Sequence, residues 1–275
     1  MRCRKDLTMQ VSPNIVDQHV HSRYSPDSTE ELEAIVRHAQ SLGKPFVVTT
    51  DHFDYDCKFF KKDVLIDMPE YERETALLRS KYDIDIRQGI EVGYRQDYFN
   101  EINAYLRQYS FDLVLLSVHN NGVLDFAEDA YHEQPLERVF ADYFTHVFHA
   151  VNEMDNYDVV AHLDYFVRYA KRTIGVEHYE QAHSILYDIM KVIISKDKAL
   201  ELNTAGLFRQ GWIHPHSYLL KMYIDMGGKL FSLGSDAHRL SHYEKGFSEA
   251  IELLKSFNIR EIVQFKNRVP QLVAI

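Results

Sequence analysis

Ile15-Val16-Asp17-Gln18-His19-Val20-His21 joins a short apolar run to two histidines spaced two apart. In a β-strand alternate side chains share a side, so His19 and His21 face one way together. Neutral imidazole is a common ligand for first-row metals, and two of them at a strand end make half a metal site. Two unrelated surface histidines would look the same. The weight comes from what repeats downstream.

Working outward, short runs rich in Val, Ile, Leu or Phe fall at 14–17, 45–50, 84–91, 113–118, 159–161, 199–203 and 229–233. Each has the length and composition of a strand buried on both faces. Between and after them lie amphipathic stretches that predict helices at 28–42, 69–81, 98–108, 136–156, 177–195, 215–226 and 244–257. Ser28-Thr29-Glu30-Glu31 reads as a capping start to the first, and Gly227-Gly228 as the stop of the sixth. Strand alternating with helix implies parallel strands with right-handed crossovers. So many units favour a closed barrel over an open doubly wound sheet. No GxGxxG or GxxxxGK[ST] is present, so a glycine loop cradling phosphate is not the mode of binding.

The strand ends carry the chemistry. In order they are His19-Val-His21, Thr50-Asp51-His52, Gly89-Ile90-Glu91, Ser117-Val118-His119, His162-Leu-Asp164, Glu201-Leu-Asn203 and Ser235-Asp236-Ala237-His238. In barrels of this type the C-terminal strand ends form the active site. Six imidazoles (His19, His21, His52, His119, His162, His238) and two carboxylates (Glu91, Asp236) are too many for one ion, since a catalytic zinc takes about three protein ligands. They suit two or three divalent ions, with Glu91, the one glutamate of the set, as the bridge. Mixed nitrogen and oxygen ligation without thiolate fits Zn, Fe or Mn and does not choose among them.

These ordered motifs, spread from Asp17 to His238, resemble the PHP (polymerase and histidinol phosphatase) superfamily. The resemblance implies an α/β fold, a distorted TIM-like (β/α)7 barrel holding a trinuclear metal centre. It implies that His19, His21, Glu91 and Asp236 hold one ion, that Glu91 and His119 share a second, and that His52, His162 and His238 serve the rest. Asp27 falls where many members have a further ligand; a turn aspartate leading into a helix would look alike. Two more stretches, 162–169 and 201–209, resemble the monofunctional histidinol-phosphate phosphatases, in which arginines after the fifth and sixth strands bind the substrate phosphate. Arg168 and Arg209 sit in those places, and a planar guanidinium fork suits phosphate.

The resemblance implies L-histidinol phosphate as the substrate, hydrolysed to L-histidinol and phosphate, and a cluster of divalent ions suits attack by a hydroxide bridging the metals. Glu91, Asp236 and His238 are the expected catalytic residues, with Asp236 or His238 moving the proton. Asp54, Asp56 and Asp164 are candidates for an acidic rim toward a cationic substrate, and Phe53, Tyr55 and Tyr94 for aromatic stacking. His242 is a further candidate for substrate contact. Asp142, His146 and His149 read as a solvated helix face, and His214-Pro215-His216 as a helix start. Other substrates on the same centre, such as phosphotyrosine or a nucleotide, and an amidohydrolase-type barrel are the competing readings.

Bulk composition agrees. The 275 residues, 45% hydrophobic and 26% charged, form one expected domain over 1–275, with 1–12 as a flexible tail. A net charge of −10 argues against nucleic-acid or anionic-membrane surfaces, yet permits an anionic substrate beside divalent cations. Cys3 and Cys57 cannot make a disulfide framework, no apolar h-region follows the basic start, and no run reaches transmembrane length. A cytoplasmic enzyme acting on a small phosphorylated molecule is the expectation.

Overall fold

Regular strands and helices form where the apolar periodicities lie, and they depart from them where a side chain claims the backbone. The computed structural model describes residues 11–208 and 211–275. In chain order the elements are α1 (Leu32–Ser41), β1 (Phe46–Thr49), β2 (His52–Cys57), β3 (Lys62–Val64), α2 (Met68–Lys81), β4 (Asp85–Gly93), α3 (Phe99–Gln108), β5 (Leu113–Ser117), α4 (Asp129–His132), α5 (Leu136–Glu153) and β6 (Val159–Val160). There follow α6 (Val176–Gln181), α7 (His183–Ser195), β7 (Ala199–Asn203), α8 (Ser217–Asp225), β8 (Phe231–Gly234), α9 (Phe247–Ser256), β9 (Glu261–Lys266) and β10 (Val269–Ala274). No described helix is long and apolar enough to cross a membrane.

The sheet runs β3-β2-β4-β5-β6-β7-β8 and is parallel except for the β2–β3 hairpin. β1 and β2 lie in succession along one edge of β4, Phe46 opposite Asp85 and His52 opposite Glu91. The fold is mixed α/β with a mostly parallel sheet.

Alternation along the strands sorts side chains between two apolar bodies. Even-numbered residues of β5 (Val114, Leu116) join the large core under the helices, while Leu113 and Leu115 join a second cluster. That smaller cluster gathers Val16, Phe46, Val48, Val159, Ala161 and Ala199 around Val263 and Phe265 of β9. The β9–β10 hairpin is fastened there by Gln18, whose Nε2 donates to Val263 O and whose Oε1 accepts from Phe265 N, and by Arg87, which donates to Phe265 O.

Four expectations change. Residues 14–17 form no regular strand, because Asp17 Oδ1 accepts the backbone N–H of His19 and of Ser235 in place of a carbonyl. The strand-like contacts move to the next residues. Gln18 N donates to Leu233 O and His21 N to Ala237 O, while on the other side Thr50 N donates to Val20 O. The first helix starts at Leu32 rather than Ser28, since Ser28 Oγ donates to His21 O and makes no helix cap. The stretch 177–195 is two helices, α6 and α7, that break at Ala182. Finally, β2, β3 and the C-terminal hairpin were not anticipated, because β2 follows β1, β3 follows β2 and β10 follows β9 with no helix between. The expected tail covers 1–12, of which 1–10 lie outside the described residues.

Candidate metal centre

Continuing the same alternation one step past the apolar cluster brings polar residues to the strand ends. Leu113 and Leu115 lead to Ser117, and Ala199 leads to Glu201 and Asn203. Glu91, at the end of β4, lies at the middle of what gathers there and is buried.

Its two oxygens face different imidazoles. Oε2 is 2.8 Å from His52 Nδ1, 3.4 Å from His19 Nε2 and 3.6 Å from His21 Nε2. Oε1 is 2.8 Å from His162 Nε2 and 3.3 Å from His119 Nε2, and it accepts from Ser117 Oγ. Asp236 Oδ1 lies 3.3 Å from His21 Nε2 and 3.6 Å from His19 Nε2. Asp27 Oδ2 stands 3.1 Å from His238 Nε2 and 3.6 Å from His52 Nε2. Thus all nine residues expected as ligands converge. Three triads within the set have donor atoms within 4.8 Å of one another, His19–His21–Asp236, His19–Glu91–His162 and His21–His52–His238, and a fourth, His52–Asp54–His119, adds Asp54.

The outer nitrogens fix the inner ones. His19 Nδ1 is 2.7 Å from Glu201 Oε1, His119 Nδ1 is 2.8 Å from Asp54 Oδ1, and His238 Nδ1 is 3.0 Å from Asp236 O. His21 Nδ1 is 2.9 Å from Ser25 Oγ, which itself donates to Asp51 Oδ1. An acceptor on Nδ1 places the proton there and leaves Nε2 with its lone pair inward, the arrangement metal-bound histidines use. Several inward atoms have no hydrogen-bond partner although buried: His19 Nε2, His21 Nε2, His52 Nδ1 and Glu91 Oε2. Buried polar atoms are normally satisfied, and a cluster of orphaned lone pairs fits cations. The donor set and its orientation therefore fit metal ions.

The electrostatics are those of opposite charges packed together: against their burial, the facing carboxylates raise His19, His52 and His119 well above an ordinary imidazole. Burial pushes the Glu91 carboxyl up, but His19, His52 and His119 outweigh it and hold it well below the usual range. Asp236 is likewise held down, against burial, by Arg168 and His19. Burial together with His238 and His52 keeps His21 well below an ordinary imidazole. Backbone strain marks the same place: Asp236 has φ 55° and His162 φ 22°, sites that cost on the order of 1–3 kcal/mol and persist only where surroundings enforce them.

Beside the centre lies a cavity of about 310 Å³ whose lining includes His52, His119, Asp125, Tyr165, Arg168 and His238. Arg168 is buried, donating to Asp236 Oδ2 at 2.6 Å and to Asn203 Oδ1 at 2.9 Å. An adjoining hollow of about 440 Å³ adds His242 and Arg239. Arg209 lies outside the described residues. A hollow of about 540 Å³ along α5 and α7 is lined by Leu136, Phe140 and Phe148 together with Glu137, His178 and Asp188, and among the described residues none of its donors joins a metal-type triad.

The expected rim is not where the sequence put it. Asp164 is fully buried and accepts from Tyr179 Oη and His216 N while pairing with His214 Nδ1, so it fastens two loops. Asp56 pairs with Lys58 and Arg95. Phe53 packs in the core on Tyr105, Tyr55 stacks on Tyr98, and Tyr94 is buried with its hydroxyl on Glu153. Of the six, only Asp54 reaches the cavity, and it is engaged by His119. The aromatic residues that do line it are Phe59, Phe60, Tyr165 and Tyr169. Sequence reasoning also passed over Glu201 as the partner of His19; its strand-end position was visible, its orientation was not. As expected, His146 and His149 lie on the α5 face beside Asp142 and Glu153, and His216 caps α8.

Comparisons with known proteins point one way. A family model described as PHP domain matches residues 17–205. The chain is 30% identical over 254 residues to a protein of Lactococcus lactis named histidinol-phosphatase, covering 91% of this chain and 94% of that one. It is 30% identical to a Thermotoga maritima protein named "Probable histidinol-phosphatase", covering 89% and 93%. Among solved structures, histidinol phosphate phosphatase from Lactococcus lactis, in complex with zinc, L-histidinol and phosphate, superimposes with a TM-score of 0.82 at 28% identity, covering 94% of this chain and 99% of that one.

Proposed function

The chain belongs to the PHP domain family, and we propose from that premise that it is a metal-dependent phosphomonoesterase acting on L-histidinol phosphate, releasing L-histidinol and phosphate. One observation carries the chemistry: three imidazoles held through Nδ1, His19, His21 and His119, aim Nε2 at the two-sided carboxylate of Glu91. The substrate comes from the relatives, one of which is solved with L-histidinol, phosphate and zinc.

On this reading His19, His21 and Asp236 would hold one ion, His119 and His162 would serve a second, and His52, His238 and Asp27 a third, with Glu91 placed to be shared among them. The ions are two or three in number, with zinc favoured over iron or manganese by the relative. When bound, they supply an acidified water and neutralise phosphoryl oxygens. Arg168, its fork oriented by Asp236 and Asn203, binds the substrate phosphate together with Arg209. The proton released by the attacking water would pass through Asp236 or His238 to the leaving alkoxide as the ester P–O bond breaks. Preorganisation of these charges does most of the work, as in phosphoryl transfer generally.

The sheet is read as a single-domain distorted seven-stranded barrel, closed by residues 18–21. Its support is the pair of hydrogen-bonded flanks, Leu233 and Ala237 on one side and Thr50 on the other. The enzyme acts in the cytoplasm, in keeping with a chain of two cysteines.

Phosphate release from L-histidinol phosphate, beside phosphotyrosine and a mononucleotide, tests the assignment. Selective turnover of L-histidinol phosphate is expected. Turnover of another ester in its place would keep the phosphoesterase and discard the substrate.

A further inference from the structure

The cavity next to the metal centre carries, besides the groups suited to phosphate, a carboxylate that the proposed mechanism does not use. Asp125 is 2% exposed and lines this cavity. Its Oδ1 accepts from Ala127 N at 2.8 Å, and among the described residues no Lys or Arg ion-pairs with it. Burial pushes its carboxyl up to about 6, the Ala127 N–H and His119 pull against that rise, and the carboxylates of Asp54 and Glu128 add to it. A buried carboxylate without a cationic partner is costly, and a cation entering beside it relieves that cost.

The loop that presents Asp125 is built, not loose. Asn120 and Asp125 form an antiparallel bridge, Phe126 N donates to His119 O, and Arg95 donates to Asn120 Oδ1. This loop follows directly from the strand that delivers His119 to the centre. The aromatic rings of Phe59, Tyr165 and Tyr169 line the same cavity.

We propose that Asp125 is a specificity residue: it receives the ammonium of an amino-alcohol phosphate substrate while the metal centre and Arg168 take the phosphate. This rests on the substrate reading above and assigns the part of the site that would tell a cationic ester from a neutral one. An ammonium against a carboxylate in a water-poor cavity is a charge-assisted contact, so its loss costs about tenfold or more in affinity.

The test is calorimetric binding of L-histidinol and, separately, of inorganic phosphate to the zinc-loaded protein, comparing wild type with Asp125→Asn and Asp125→Glu. The expected result is that Asp125→Asn weakens L-histidinol binding by about tenfold or more, against less than about threefold for phosphate. Asp125→Glu should recover part of the loss. Thermal unfolding of each variant checks that it is folded. Equal losses for both ligands, or an undiminished L-histidinol affinity in Asp125→Asn, would overturn the proposal. So would a wild type that binds no L-histidinol. Turnover of L-histidinol phosphate by the wild type is scored apart, so a failed substrate reading and a failed Asp125 assignment give different records.

Discussion

The same strands end in opposite chemistries. Toward their N-terminal ends, Phe46, Leu113, Val159 and Ala199 pack on Val263 and Phe265 of the C-terminal hairpin. Toward their C-terminal ends, a few residues on, Glu91, Ser117, Glu201 and Asn203 stand among six imidazoles, with orphaned buried atoms and two left-handed backbone positions, His162 and Asp236. One end lowers the free energy of folding. The other costs free energy unless cations are present, and it persists because the first end and the helical core hold it. The comparison teaches a division of labour within single strands: stability below, chemistry above.

The largest expected effect lies above. Glu91→Gln removes the charge that five imidazoles face, so phosphatase activity should fall by about 10³-fold and bound metal should drop, with the circular dichroism spectrum retained. Retained activity would dissolve the contrast. Below, Phe265→Ala should cost about 3–5 kcal/mol of unfolding free energy by leaving a cavity, while KM measured on folded protein stays near wild type. A large change in KM would mean the two ends are not separable.

A smaller effect tests the outer shell. In Glu201→Gln an amide donor would face the His162 N–H and the Asn203 amide that Oε2 now accepts. Metal affinity should fall by about 10–100-fold, read by competition with a chelator. The smallest effect is a pH dependence. With its carboxyl raised to about 6, Asp125 is charged above that value and neutral below it. The ratio of L-histidinol dissociation constants, Asp125→Asn over wild type, should therefore be greatest above pH 6 and approach one as pH falls through it. A ratio flat across that range would show that the charge of Asp125 does not contribute.

How much of this was legible follows from the same contrast. The expected ligands are legible because metal sites need particular residue types at strand ends, and His19, His21, His52, Glu91, His119, His162, Asp236 and His238 do converge. Asp27 also arrives, though its sequence context allowed a plain turn. Asp164 misled because a carboxylate two residues past a ligand looks the same whether it faces the cavity or, as here, His214 and Tyr179. The pocket wall was illegible for a related reason: Tyr55 and Tyr94 sit close in sequence to ligands but turn into the core, and Tyr165, Tyr169 and Asp125 are brought in by loops with no periodicity. Of the fold, the parallel units announced themselves through apolar runs. The β9–β10 hairpin did not, because Val263 and Phe265 lie in an antiparallel pair whose partner strand, β10, is largely exposed.

The central claim is that the upper end is a multinuclear metal centre on which phosphate release depends. The most direct measurement is metal content per chain by mass spectrometry, made alongside L-histidinol phosphate hydrolysis as metal is stripped by chelator and restored with zinc. The account predicts two or three divalent ions per active chain, loss of turnover as they leave, and its return with zinc. Full turnover at less than one ion per chain would contradict it.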